Sequence, residues 1–247
     1  MCMIRIESCG RTDVGLRRSN NEDAFVSAPE LGLLALADGM GGAASGEVAS
    51  GIFADTVREL LSAAPPSDVE ESRRLVLRSF LLANRRIREL AARAPEHKDM
   101  GCTGEMVVFT DDRYVVGHVG DSRVYLFRGG RLRQVTKDHS FVQEQVDQGV
   151  LTPGQARVHA CRHMILRALG IDDSLDVDLI SGKAYPGDLI LLCSDGLSDM
   201  VVDSLIEERL ASGLSLEGKA ERLVLDACDA GGYDNVTIVL GLVLQVE

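Results

Sequence analysis

Four aspartates carry the first chemical signal in the chain. Asp38-Gly39 follows the apolar run Leu33-Leu34-Ala35-Leu36-Ala37, Gly120-Asp121 follows residues 114–119, and Ser194-Asp195-Gly196 follows residues 189–193. Asp234 follows Gly231-Gly232-Tyr233 and precedes the apolar residues 235–246. Singly, an Asp beside Gly is an ordinary turn signal. Four of them at strand ends set four short carboxylates where the backbone dictates. Oxygen ligands of this kind suit hard cations, Mg²⁺ or Mn²⁺, which keep several waters. Two such ions close together can hold a bridging water and make it a nucleophile near neutral pH. Asp38 is the expected centre, because Gly39, Gly41 and Gly42 let backbone approach whatever its carboxylate holds.

The elements that must position these residues follow from periodicity. Strands are expected at 3–8, 24–28, 31–37, 105–110, 114–119, 122–128, 131–136, 174–181, 188–193 and 235–246. Residues 44–63 and 68–94 have helical apolar spacing, with Pro65-Pro66 between them, and 203–210 and 216–230 are further helices. Residues 10–22 read as a polar loop, and 139–168 as an irregular, lightly helical excursion. The arginines of 68–94 read as a solvated helix face. Strands come in two groups and do not alternate one-for-one with helices. That predicts an α+β fold with mostly antiparallel sheets and helices on the outer faces, in one domain spanning 1–247.

Composition bounds the function. The chain has 247 residues, 45% hydrophobic and 26% charged, with a net charge of −12. Aromatics make up 4% and Trp is absent, which argues against a base-stacking surface, and the acidity argues against nucleic-acid partners. Clustered carboxylates instead call for divalent cations. The six cysteines form no C-x-x-C pair, so they are expected to be reduced, mostly buried and cytoplasmic. The first residues lack the apolar core of a signal peptide, and no run reaches the ~18 residues of a membrane helix.

Gly15-Leu16-Arg17-Arg18-Ser19-Asn20-Asn21-Glu22-Asp23-Ala24 resembles the opening motif of the metal-dependent Ser/Thr protein phosphatases, the PPM or type 2C family. Ala37-Asp38-Gly39-Met40-Gly41-Gly42 is similar to the second motif, and its methionine resembles the bacterial branch. Met100-Gly101-Cys102-Thr103, Val119-Gly120-Asp121-Ser122-Arg123, Thr136-Lys137-Asp138-His139-Ser140, Arg167-Ala168-Leu169-Gly170, Leu192-Cys193-Ser194-Asp195-Gly196-Leu197 and Gly232-Tyr233-Asp234-Asn235-Val236-Thr237 follow in the family's order.

The resemblance implies a central sandwich of two antiparallel sheets with helices on both outer faces. It implies two tightly bound Mn²⁺ or Mg²⁺ ions and a third, weaker one. Asp38 would bridge the first two, with the Gly39 carbonyl and Glu22 on the second. Asp195 and Asp234 would complete the first, and Asp121 with Asp195 would hold the third. Arg18 would bind the substrate phosphate, for which guanidinium geometry is suited. The reaction implied is direct attack of a metal-bridging water on phosphoserine or phosphothreonine. Partners would be phosphoproteins made by a eukaryotic-like Ser/Thr kinase, and the enzyme would be a cytoplasmic monomer. A phosphatase of small phosphate esters and a phosphoprotein-binding pseudophosphatase are the competing readings.

Three positions depart from the family pattern. Met40 stands beside Asp38-Gly39 and cannot donate a proton to the leaving alkoxide, which would have to come from elsewhere, for instance a metal-bound water. Cys102 and Gly104 flank Thr103 where a hydroxyl residue and an aliphatic one are usual, and glycine weakens a strand. His163 replaces a usual asparagine next to a flap expected at about 140–165. His159 and His163 have helical metal-pair spacing, but no general-base Glu lies between them, so they read as flap surface.

Overall fold

In the computed structural model residues 4–41 and 45–244 are described. In chain order the elements are β1 (Ile6–Asp13), β2 (Ala24–Ala28), β3 (Leu33–Ala37), β4 (Gly39–Met40), α1 (Gly46–Ala63), α2 (Val69–Arg93), β5 (Gly101–Cys102) and β6 (Gly104–Thr110). There follow β7 (Arg113–Val119), β8 (Arg123–Arg128), β9 (Arg131–Gln134), α3 (Phe141–Asp147), α4 (Pro153–Arg157), β10 (Asp178–Lys183) and β11 (Leu189–Cys193). α5 (Asp195–Ser198), α6 (Asp203–Ala211), α7 (Leu216–Asp229) and β12 (Val236–Val243) complete the chain.

Two five-stranded antiparallel sheets form the centre, in the orders β1-β12-β11-β8-β9 and β10-β7-β6-β3-β2. Side chains alternate across each strand, so β3 shows how the layers are built. Leu34 and Leu36 point between the sheets and pack with Val107, Val116, Leu126, Ile190 and Val239. Leu33, Ala35 and Ala37 point the other way, onto Phe53, Val57 and Leu61 of α1 and Val76, Phe80 and Ile87 of α2. On the second sheet, Leu191, Cys193, Ile238 and Leu240 pack against Ile206, Leu210, Leu223 and Ala227 of α6 and α7. Both faces of the central strands are therefore buried, which is why they read as continuous apolar runs. Each fully buried Leu or Phe contributes roughly 1.5–3 kcal/mol. The expected α+β sandwich with outer helices is the observed architecture.

Some expectations are corrected. Residues 10–13 are strand, because β1 pairs with β12 from Ile6↔Val243 to Asp13↔Val236, and its polar residues lie on a sheet edge. Pro29–Leu31 is a 3₁₀ turn, so the next strand begins at Leu33. The strand expected at 174–181 occupies Asp178–Lys183. Gly104 is no weak point: a Cβ there would sit 2.9 Å from Leu169 and Phe80 side-chain atoms, so glycine admits the packing of α2 and the 169 segment. Cys9, Cys102 and Cys193 are buried, Cys161 and Cys228 are partly exposed, and all five are free. The expected strand start at Met3, helix start at Ala44, strand end at Val246, and Gly42 and Cys2 lie outside the described residues.

Candidate metal centre

Strand ends converge at one edge of the sandwich. There Arg18, Glu22, Asp38, Gly39, Asp121, Asp195 and Asp234, the full set of expected site residues, line a single cavity of about 530 Å³. Met40, Arg162, His163, Asp199 and Asn235 line it too.

Each carboxylate is held by its backbone. Asp38 leaves β3 and is clamped by Thr103: its N–H donates to Thr103 Oγ1 at 2.9 Å, and the Thr103 N–H donates to its carbonyl at 2.8 Å. Thr103 Oγ1 also meets Ser122 Oγ at 2.9 Å, next to Asp121. The Gly39 N–H donates to the Glu22 carbonyl at 3.1 Å. A Cβ on Gly39 would lie 2.2 Å from the Gly46 carbonyl, so only glycine lets the start of α1 close against this turn. Asn235 ties the two loops together. Its Oδ1 accepts from the Glu22 N–H at 2.8 Å, and its Nδ2 donates to the Val14 and Asn20 carbonyls at 3.0 and 2.9 Å.

Negative charge is concentrated and under-compensated. Burial, and then Asp23, Asp195, Asp121 and Asp234, hold the Asp38 carboxyl well above the usual carboxylate range. Burial and Asp195 do the same to Asp121. Burial pushes Asp23 up to about 7, against hydrogen bonds from Thr237 and Ser194, and Asp195 and Asp234 add to the rise. Crowded carboxylates cannot all ionise without positive charge among them. One buried oxygen each of Asp23 and Asp195 has no hydrogen-bond partner among the described residues. An all-oxygen donor set with unpartnered buried oxygens fits hard divalent cations. The ion pair reaching this group from the N-terminal loop is Arg18 to Asp234, 2.6 Å.

Sequence reasoning missed four residues here: Asp23, Thr103, Asp199 and Asn235. Asp23 was hidden beside Glu22 in one motif. Asp199 follows Asp195 by four positions, a spacing that puts both on one side of a helical turn. His159 and His163, read from the sequence as flap surface, do not share a helix. Residues 160–163 are a turn, and His159 Nδ1 accepts from the Cys161 N–H at 3.1 Å.

Comparison with known proteins gives this geometry its context. A family model described as protein phosphatase 2C matches residues 16–223. The serine/threonine protein phosphatase PstP of Mycobacterium tuberculosis is 41% identical over 237 residues, covering 96% of this chain and 45% of that protein. This chain therefore spans about half the length of that relative. Protein phosphatase PhpP of Streptococcus pneumoniae is 34% identical over 232 residues, covering 93% of this chain and 94% of that protein. The crystal structure of Mycobacterium tuberculosis PstP superposes with a TM-score of 0.91 at 39% identity, over 98% of this chain and 100% of that one. The PstP catalytic domain in complex with two manganese ions superposes at 0.88 with 38% identity, over the same shares of each chain. With strand-end carboxylates gathered in one cavity and a family match running through most of its length, the chain belongs to the protein phosphatase 2C family.

Proposed function

We propose that the chain is a metal-dependent serine/threonine protein phosphatase. The observation that carries this is the single cavity in which Arg18, Glu22, Asp38, Asp121, Asp195 and Asp234 meet. Asp38, Glu22, the Gly39 carbonyl, Asp195 and Asp234 would hold two Mn²⁺ or Mg²⁺ ions, and Asp121 with Asp195 a weaker third. Such ions, when bound, supply Lewis acidity on the phosphate and lower the pKa of water.

The chain's own residues do the rest. Arg18 is half exposed on the cavity and already donates to Asp234, so the remaining N–H groups of its fork can take phosphate oxygens. Thr103 and Asn235 fix Asp38 and Glu22 before any substrate arrives, which removes the need to order them during reaction. Met40 lines the cavity and holds no transferable proton, so it plays no acid role. The cysteine nearest in sequence, Cys193, is buried in β11 with its thiol pushed up by burial, which fits direct hydrolysis without a cysteine intermediate.

Residues 1–247 form one phosphatase domain in this reading. The flap at about 140–165 comprises α3 and α4, and the bridge Ser140↔Ile165 closes its base. Its Arg162, His163 and Ile165 reach the cavity, which favours a protein substrate over a small ester. The substrates would be products of a eukaryotic-like Ser/Thr kinase, met in the cytoplasm by a monomer. No helix among the described residues is long and apolar enough to cross a membrane. The test is Mn²⁺-dependent hydrolysis of p-nitrophenyl phosphate compared with a phosphothreonine peptide. Faster turnover of the peptide is expected, and inactivity on both with metal present would overturn the reading.

A further inference from the structure

We propose that Leu16, Arg17 and Tyr233 form a platform beside the cavity that selects the substrate. It takes a large apolar side chain close to the phosphoresidue, with an acidic residue near it. This rests on the phosphatase reading above and names the class of phosphopeptide that the same cavity takes.

Two loops meet here, one after β1 and one between α7 and β12. Backbone joins them. The Leu16 N–H donates to the Gly232 carbonyl at 2.7 Å, and the Gly232 N–H donates to the Ala227 carbonyl of α7 at 3.1 Å. Asn235 holds the first loop at Val14 and Asn20, on either side of Leu16 and Arg17. Gly231 and Gly232 have φ of 134° and 51°. A Cβ on Gly231 would lie 2.6 Å from the Tyr233 ring, and one on Gly232 would lie 2.9 Å from Leu16. The two glycines therefore let both side chains lie close against the turn.

Neither side chain serves the core. Leu16 is 67% exposed and Tyr233 is 59% exposed. One exposed apolar residue is ordinary. Here two large ones lie against adjacent glycines in a hydrogen-bonded frame, and Tyr233 lines the cavity together with Arg18. Order without burial suits a binding surface, because a side chain already held loses little freedom when a partner covers it. Tyrosine in particular offers a large contact area with few rotatable bonds.

Arg17 adds a sign to the platform. Its guanidinium lies 5.6 Å from the centre of the Tyr233 ring, within cation–π reach, and no carboxylate pairs with it among the described residues. Its neighbour Arg18 is turned to Asp234 and the cavity. In a chain of net charge −12, an unpaired exposed arginine marks a local place where an acidic peptide is attracted and not repelled. With the phosphate on Arg18, an extended peptide advances about 3.3 Å per residue, so its nearest few neighbours are the residues that can reach Tyr233, Leu16 and Arg17.

The experiment measures kcat/KM of the Mn²⁺-loaded full chain on phosphothreonine peptides that differ at one neighbouring position at a time. At the favoured position, leucine in place of serine should raise kcat/KM about tenfold, the low end of what an apolar contact in a pocket supplies. Aspartate in place of lysine beside it should give a further gain that shrinks with added salt. The double variant Leu16→Ser, Tyr233→Ser should erase the leucine preference, whereas Tyr233→Phe, which keeps the ring, should retain it. Arg17→Gln should erase the aspartate preference. A ratio between two peptides on one protein cancels any general loss of activity or of folded enzyme, so a merely structural role would leave it unmoved. Equal turnover of the leucine and serine peptides at every position by wild type, or ratios unchanged in the variants, would overturn the proposal. Wild-type hydrolysis of p-nitrophenyl phosphate, which has no flanking residue to seat, reads the phosphatase function separately, so the two can fail independently.

Discussion

Buried aspartates in this protein live in two different worlds. Away from the cavity, each has its own arginine. Asp188 is gripped by Arg128 through Nε at 2.7 Å and NH2 at 2.6 Å, Asp138 by Arg123 through Nε and NH2, and Asp226 by Arg209 and Arg222. In the cavity Asp38 and Asp121, and Asp23 beside Asp38 beneath it, have no arginine bonded to any of the three among the described residues, and their carboxyls are held above the ordinary range. The difference teaches what each group is for. A carboxylate matched to a guanidinium is finished as a structural part. One left without a cation, at the cost of repulsion, is kept open for a charge that comes from solution.

The sharpest way to break this contrast is to remove a cavity carboxylate. Asp38→Ala or Asp234→Ala should reduce Mn²⁺-dependent p-nitrophenyl phosphate turnover to background while the circular dichroism spectrum stays native. Asp38→Asn should also raise the melting temperature of metal-free protein, because it relieves repulsion. Near-normal turnover in either alanine variant would sink the assignment.

The opposite response belongs to the paired class. Asp188→Asn should destabilise the fold by about 3 kcal/mol, the upper end for lost hydrogen bonds to a charged group, since Arg128 stays partly exposed, and urea unfolding with or without Mn²⁺ should read the same loss. Mn²⁺ itself comes next in size. At a hundred times its dissociation constant a ligand of the native state adds about 2.7 kcal/mol, expected for wild type and largely absent in Asp38→Ala.

The smallest effect tests a buried pair without arginine. His118 Nδ1 lies 2.6 Å from Glu105 Oε1, and Nε2 lies 2.8 Å from the Lys137 carbonyl, so both ring nitrogens face acceptors and the imidazolium is favoured. Burial alone would lower the His118 pKa, but Glu105 outweighs it and lifts the value to about 9. A raised histidine stabilises fully below its unfolded value near 6.5, and that contribution is lost as pH climbs through 9. Urea unfolding between pH 6 and 9.5 should show a decline of order 1–3 kcal/mol that His118→Gln flattens. An equal slope in both proteins would remove the pair from the paired class.

Much of the site was legible because aspartate beside glycine at a strand end leaves a mark in one dimension. Asp38, Asp121 and Asp195 carry it, and Asp234 has Gly232 two positions before it. Asp23 does not, since only the fold shows that it turns inward beneath its neighbour Glu22, where Ser194 donates to it at 2.9 Å. The arginine partners of Asp188 and Asp226 were hidden for a similar reason: who meets whom across a sheet depends on register. The strand at 10–13 escaped because edge residues need not alternate in polarity when one side faces solvent. Gly104 was misjudged because its value lies in Leu169 and Phe80, residues distant in sequence.

One feature of the topology has a bearing on how the protein is made. β12 lies between β1 and β11, and Asn235 just ahead of it pins the loop that carries Glu22. A ribosome must therefore release the chain through β12 before the first sheet can close. Until then β1 waits without its neighbour, and the loop beside it lacks the three hydrogen bonds of Asn235. A product cut short at the end of α7, before β12, would carry Asp38, Asp121 and Asp195 without Asp234 and Asn235, and so lack the assembled cavity.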